Sequence, residues 1–172
     1  MRAKGFLDRI LKDARGTAAL EFAVIAMPLF IMIAGMIETG VLAFTSAVTE
    51  AATREAARQV RTGNVQTAAD ALARFRTEFC QNLPSTFSCG SFYFDVRTFS
   101  EFASISLPPV TFDANGVPQG LQFSPGEANT VVSVRVIHTY HFMTPLIGEL
   151  MGGASSTVPL ISTAVMRTEP FG

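Results

Sequence analysis

The sequence predicts an α+β fold, in which a long N-terminal helix carries a head made of a second helix and a small antiparallel sheet. Three observations predict it. Residues 22–37 carry no charge, and the apolar run extends back to Thr17 and on to Phe44. An alanine-rich segment with helix-type charge spacing follows directly. Beyond it lie one helical apolar stripe and several stretches in which apolar residues recur at every second position, the period of a strand.

The apolar run is long enough for one membrane span, since about 20 residues cross the hydrocarbon core. Arg2, Lys4, Arg9, Lys12 and Arg15 precede it, against Asp8 and Asp13. The positive-inside rule therefore puts the N-terminus in the cytoplasm and the bulk of the chain outside. A secretory signal peptide is the other reading of such a start. This stretch is longer than a typical signal core, and no small-x-small cleavage site precedes the polar region. The charged fraction is 16%, against roughly 25% in soluble domains, and the mean hydropathy is +0.33. Both suit an anchored protein that packs against others. A formal net charge of −1 argues against a nucleic-acid binder working through a basic surface. The expected organisation is a leader over 1–16, a transmembrane helix over 17–44, a stalk helix over 45–63 and an extracytoplasmic head over 64–172.

The stalk continues the span. Alanine is the best helix former, Glu50 and Arg54 form an i,i+4 pair, and Glu55 and Arg58 an i,i+3 pair. Thr62-Gly63-Asn64 is a helix stop. One helix over about 18–61 would measure some 65 Å. Ala47, Ala51 and the Ala56-Ala57 pair form a small-residue stripe that permits close helix approach, or that packs on the chain's own head. Pro28 falls midway through the span, with Gly35 and Gly40 as further weak points. Two readings fit. Proline and glycine are commoner in membrane helices than in soluble ones. Alternatively, the helix must loosen locally to leave the bilayer and repack in a filament.

Val65 to Phe79 reads as the second helix, with Ala68, Ala69, Leu72, Phe75 and Phe79 on its core stripe. Cys80 and Cys89 follow. In an oxidising compartment a disulfide is their natural pairing, and it would contribute about 2–3 kcal/mol on the chain-entropy view. A metal site would need two more ligands. His138 and His141 are the only histidines, and their spacing puts them on opposite faces of a strand. Neither metal nor cofactor is expected.

Three strands are expected, over Phe92–Arg97, Val131–Phe142 and Val158–Met166, with Ala103–Leu107 as a candidate fourth ended by Pro108-Pro109. In the second, Val132, Val134, Val136, His138, Tyr140 and Phe142 share one face and Ser133, Arg135, Thr139 and His141 the other. Pro159 restricts the third to an edge or non-bonded position. The segments from Asp113 and from Ser124 read as turns and a surface loop. No nucleophile elbow, zinc-protease helix, phosphate loop or dinucleotide fingerprint occurs. His138 reads as a satisfied core histidine, and Glu149 and Glu169 as isolated solvated carboxylates. An enzyme with a small-molecule substrate is not expected.

The junction Arg15-Gly16-Thr17-Ala18-Ala19-Leu20-Glu21-Phe22 resembles the processing site of type IV prepilins, and most of all the Tad branch: a glycine, four residues, a glutamate, then an aromatic. Phe22 stands where the family more often has tyrosine. The stalk through Arg54-Glu55-Ala56-Ala57-Arg58 resembles that of the TadE-like family, with Ala56 in place of a frequent glycine. The ending Arg167-Thr168-Glu169-Pro170-Phe171 resembles the family's usual Arg-Asn-Glu-Pro-Phe. The resemblance implies a pilin-like lollipop and a pseudopilin or minor pilin for assembling Tad-type adhesive pili. It implies cleavage by a prepilin peptidase between Gly16 and Thr17. Glu21 would then offset the new Thr17 amine, which is mostly charged at neutral pH, on its own chain or a neighbour's. Pro28 and Glu38 would join Glu21 in subunit assembly. The implied partners are the peptidase, other Tad pilins and pseudopilins, an ATPase, inner-membrane platform proteins and the membrane. The implied place is the inner membrane, with one span, a periplasmic head and entry into a pilus as a possible fate. A single-pass anchored binding module that is not processed is the alternative.

Overall fold

The computed structural model describes residues 16–171, so the leader through Arg15 lies outside the described residues. The elements in chain order are α1 (Thr17–Arg61), α2 (Ala71–Gln81), β1 (Phe92–Phe99), β2 (Thr111–Phe112), β3 (Pro118–Gln119), β4 (Val131–His141), α3 (Pro145–Gly152) and β5 (Thr157–Arg167). The fold is α+β, a lollipop with α1 as its stick.

Span and stalk are one helix of 45 residues, about 67 Å long at 1.5 Å per residue. Pro28 lies within it without ending it, although its missing N–H leaves the Val24 carbonyl without a helical donor. The helix ends in a Schellman motif: the Gly63 N–H donates to Val60 O at 3.3 Å and the Asn64 N–H to Gln59 O at 3.1 Å. Gly63 has φ +82°, and the Phe171 ring fills the space a Cβ would need. Both facts demand glycine there.

The two halves of α1 differ in what covers them. Leu20, Phe22, Val24, Ile25, Met27, Phe30, Met36 and Ile37 are exposed. From Thr45 onward one face is buried, through Thr49, Ala52, Thr53, Ala56, Ala57 and Val60. The threonines on this face return their hydroxyls to carbonyls one turn back. Thr45, Thr49 and Thr53 donate to Val41 O, Thr45 O and Thr49 O at 2.8, 2.8 and 2.7 Å. They are therefore buried without needing a donor or acceptor from the head. The expected small-residue stripe is divided: Ala56 and Ala57 are buried under the chain's own head, while Ala47 and Ala51 stay exposed.

The second helix begins six residues later than Val65. Residues 62–70 form turns and bends instead, and Asp70 caps α2 by accepting from the Ala73 N–H at 2.9 Å, the usual N-cap bond. Phe75 and Phe79 enter the core with Phe92, Val96 and the β4 valines. Phe75 meets Phe94 and Phe123 edge-on, at centroid distances of 5.3 and 5.7 Å. Cys80 and Cys89 form a disulfide that ties the last turn of α2 to the approach to β1.

The main sheet is antiparallel with the order β1-β4-β5. Phe92 faces His138 and Phe99 faces Val131 across one ladder, and His141 faces Thr157 across the other. Val132, Val134 and Val136 pack toward α1 and α2. The opposite face, which carries Ser133 and Arg135 as the alternation predicts, is not open to solvent: Ser133, Arg135 and Ile137 are buried too. The segment between β1 and β4 covers them. It contains the β2–β3 hairpin, and its residues 122–124 run beside β1: the Val96 N–H donates to Gln122 O and the Ser124 N–H to Val96 O, both at 2.8 Å. The expected surface loop is thus partly structural. Ala103–Leu107 is not a strand; Phe102–Ser104 form a single 3-10 turn. The helix α3 had no counterpart among the expected elements.

The charged groups under this cover are paired, while the Ser133 hydroxyl is buried without a partner among the described residues. Asp95 is fully buried. It accepts from the Arg97 Nε at 3.0 Å, from the Gln122 N–H at 2.9 Å and from the Arg135 guanidinium. Arg135 also donates to Pro108 O at 2.7 Å, and Arg97 to Gly120 O at 2.7 Å. Burial alone would push the Asp95 carboxyl up, but these donors outweigh it and hold the group below the usual carboxylate range. A depressed native pKa contributes stability that is complete above the unfolded-chain value of about 3.9 and is lost as pH falls through the native value. Asp95→Asn is therefore expected to cost most near neutral pH, with its deficit shrinking below about pH 4. Denaturant unfolding of both chains across acid pH checks this, and a constant deficit would contradict it.

Candidate functional site: the anchor helix and its junction with the head

Gly16 stands at the threshold of α1, in helical backbone (φ −89°, ψ −10°), and Thr17 is the first residue of the helix. Glu21 is exposed, one turn in, within the apolar band. Its neighbours Leu20 and Phe22 are exposed as well. Its carboxylate has no partner among the described residues. A carboxylate so placed is available to a cation from outside the helix. Arg15, expected beside the cleavage site, lies outside the described residues. Pro28 is exposed on the same half of α1.

Glu38 has the opposite environment. It is 1% exposed. Its Oε1 accepts from the Tyr140 hydroxyl at 2.8 Å and the Met143 N–H at 3.0 Å. Its Oε2 accepts from the Thr144 N–H at 3.0 Å and the Thr144 hydroxyl at 2.9 Å. Thr144 is the N-cap of α3 and Pro145 its first residue, so the carboxylate also sits at the positive end of that helix. Four donors offset the cost of burying a charge that would otherwise be prohibitive. Sequence reasoning assigned Glu38 to contacts between subunits; here its oxygens face donors of its own head. Tyr140, Met143 and Thr144 were not foreseen as part of this site. Thr144-Pro145 is a helix-start signal, but nothing in the sequence links Glu38 to a tyrosine 102 positions away.

At the far end of the stalk the C-terminal motif meets the end of α1, whereas the stalk motif pairs within the helix. Arg54 pairs with Glu50 and Arg58 with Glu55 on the exposed surface of α1, where such pairs contribute little to stability. Glu169, expected to be isolated, pairs with Arg61 at 3.0 Å. Its N–H donates to Arg61 O at 2.8 Å. Phe171 lies on Gly63. Arg167 stands over the Phe102 ring at 5.9 Å. The C-terminal segment thus fastens to the last turn of α1. His138 stacks on Phe92 with centroids 4.5 Å apart, and its Nδ1 lies 3.1 Å from Ser91 O; it is satisfied as expected but half-buried rather than in the core. His141 is exposed.

Residues 16–58 match the TadE-like protein family. The match opens at Gly16 and closes at Arg58, so it takes in Glu21, Phe22, Pro28, Glu38 and the Arg54-Glu55 motif. It is consistent with a TadE-like pseudopilin of the Tad system. The head and the C-terminal motif lie beyond the TadE-like segment. No curated protein and no solved structure matches the chain. The long apolar N-terminal helix is compatible with a single-pass membrane anchor.

Tyr140 reports on the junction. Its burial, then its bond to Glu38, push the phenol up to about 12. A raised native pKa contributes stability that is complete below the unfolded value of about 10 and is lost as pH rises through the native value. Tyr140→Phe is expected to cost about 1.5–3 kcal/mol, as for a hydrogen bond to a charged group. An alkaline absorbance titration should find one of the chain's two tyrosines ionising late, and the variant should lack that step. Equal stability and an unchanged late step would contradict the assignment.

Proposed function

We propose that this chain is a membrane-anchored pseudopilin or minor pilin of the Tad pilus system, matured by a prepilin peptidase between Gly16 and Thr17, and a subunit of adhesive-pilus assembly rather than an enzyme. The observation that carries the proposal is the TadE-like match beginning at Gly16, on a helix whose first residue is Thr17 and whose exposed apolar band holds one accessible carboxylate, Glu21. After cleavage the Thr17 amine would be mostly charged at neutral pH. Glu21 would offset it, on the same chain or between subunits, where water is scarce. Glycine suits the residue before the cut because it presents no side chain to the peptidase.

We read residues 17–37 as the span, shorter than the expected 17–44, because the head covers α1 from Glu38 onward. Val41 and Leu42 pack against the cluster of Tyr140, Phe142 and Ile147, and Phe44 faces Phe87 at a centroid distance of 6.4 Å. The remaining helix is about 31 Å long, the thickness of a hydrocarbon core. The leader would stay in the cytoplasm and the head would stand in the periplasm. The disulfide suits that oxidising compartment. Other Tad pilins and inner-membrane platform proteins are the partners this role requires. The exposed Ala47 and Ala51 on the stalk would let a neighbouring helix come close, while Pro28 would loosen the helix for transfer from bilayer to filament.

Intact mass and N-terminal sequencing of protein from native membranes, with and without the peptidase, test the proposal. A peptidase-dependent start at Thr17 is expected. A start at Met1 in both strains would instead make the chain an unprocessed, tethered module. In the processed protein, Glu21→Ala is expected to abolish co-purification with other pilus subunits while cleavage continues.

A further inference from the structure

The connection between β4 and β5 carries an apolar surface that nothing in the described chain covers. Met143 and Leu150 are 68% and 75% exposed, and Leu146 and Met151 are exposed beside them. Leu146 and Leu150 stand four apart and share one face of α3. The other face of this helix is occupied, since Ile147 and Gly148 are buried against the head. Between Phe142 and Ser156 the only charged residue is Glu149, which is exposed and borders the apolar face. Large apolar side chains gathered this densely on a surface mark a contact.

Two attachments fix the height of this surface along α1. Glu38 holds the amides of Met143 and Thr144. One turn closer to the N-terminus, a Cβ built on Gly35 would lie 3.5 Å from Ile147 Cδ1. Gly35 is inside the exposed apolar band that ends at Ile37, so α3 lies level with the head-side end of that band and its bare face continues it. On the reading of residues 17–37 as the span, on which this inference rests, that level is the boundary between acyl chains and headgroups.

We propose that α3 and its flanks, Met143 to Met151, dip into the leaflet on the head's side, so that the chain holds the membrane by an interfacial foot as well as by its span. The occupant of the bare face is lipid. An interfacial helix of this kind rests with its apolar side about 5–10 Å into the headgroup and acyl boundary. Glu38 then couples foot to anchor, because the carboxylate that ends the span also holds the first amides of the foot. The foot orients the head relative to the bilayer, and a subunit leaving the membrane must lift α3 together with α1.

The chain contains no tryptophan, so single reporters can be introduced into the full chain: Leu150→Trp in the foot, Phe30→Trp in the span, and Phe102→Trp at the opposite end of the sheet. Each is reconstituted in phosphatidylcholine vesicles containing lipid brominated at shallow or at deep acyl positions. The expected result is blue-shifted emission and loss of intensity with shallow bromines for Leu150→Trp, loss with deep bromines for Phe30→Trp, and no loss for Phe102→Trp. Quenching of Phe30→Trp with an unquenched Leu150→Trp would overturn the foot and leave the span standing. An unquenched Phe30→Trp would overturn the span, and the foot with it. A blue shift of Leu150→Trp that vanishes on dilution with plain lipid, without bromine quenching, would assign the face to a second copy and overturn lipid as its occupant.

Discussion

The placement of the head on α1 depends on the hydrogen bonds that Glu38 accepts from Tyr140, from the amides of Met143 and Thr144, and from the Thr144 hydroxyl. A carboxylate at the end of an apolar helix is costly unless it reaches water or a full set of donors. Here the donors come from the end of the central strand and the start of α3. Removing either side leaves buried groups unpaired, and such groups cost more than a typical bond is worth. At the other end of the stalk the attachment is made by the C-terminal segment, through Arg61–Glu169 and through Phe171 on Gly63. Between these ends, alanines and back-bonded threonines give α1 a surface low enough for the sheet to lie close.

One continuous helix therefore has two differently covered halves. Its first half presents Leu20 to Ile37 outward, and its second half buries a face under the head. The TadE-like match spans both halves but stops at Arg58, before the head. The matched segment thus contains the glycine junction, the exposed Glu21 and the stalk, and none of the head. The residues that answer Glu38 belong to the head, which each chain must supply for itself.

Much of the fold was legible because it rests on local periodicity. The apolar run, the alanine-rich stalk and the Thr-Gly-Asn stop predict α1 to within a residue at its end, and strict alternation predicts β1, β4 and β5. Cysteine chemistry in an oxidising compartment predicts the Cys80–Cys89 pairing. What was missed depends on distance or on competing local chemistry. The stripe from Val65 suggested an earlier helix, but Asp70 caps it later. The burial of Asp95 and Arg135 had no local signal, because it rests on their pairing with each other and with the backbone of the 100–130 segment. For α3, its boundary signal was present in Thr144-Pro145. Its importance was hidden, because a bond spanning more than a hundred positions leaves no pattern in a single sequence. The proposed processing site rests on the order of motifs along the chain, and its leader side lies outside the described residues.

The central claim is that Glu38 fastens the head to the anchor where the helix leaves its apolar band. Amide hydrogen exchange of the full chain in bilayers, compared with Glu38→Ala, tests it most directly. The account predicts that the Met143 and Thr144 amides and the α3 segment lose protection in the variant, while the central residues of β4, packed on α1 and α2, keep theirs. Unchanged protection at Met143 and Thr144, or equal loss throughout the head, would contradict it.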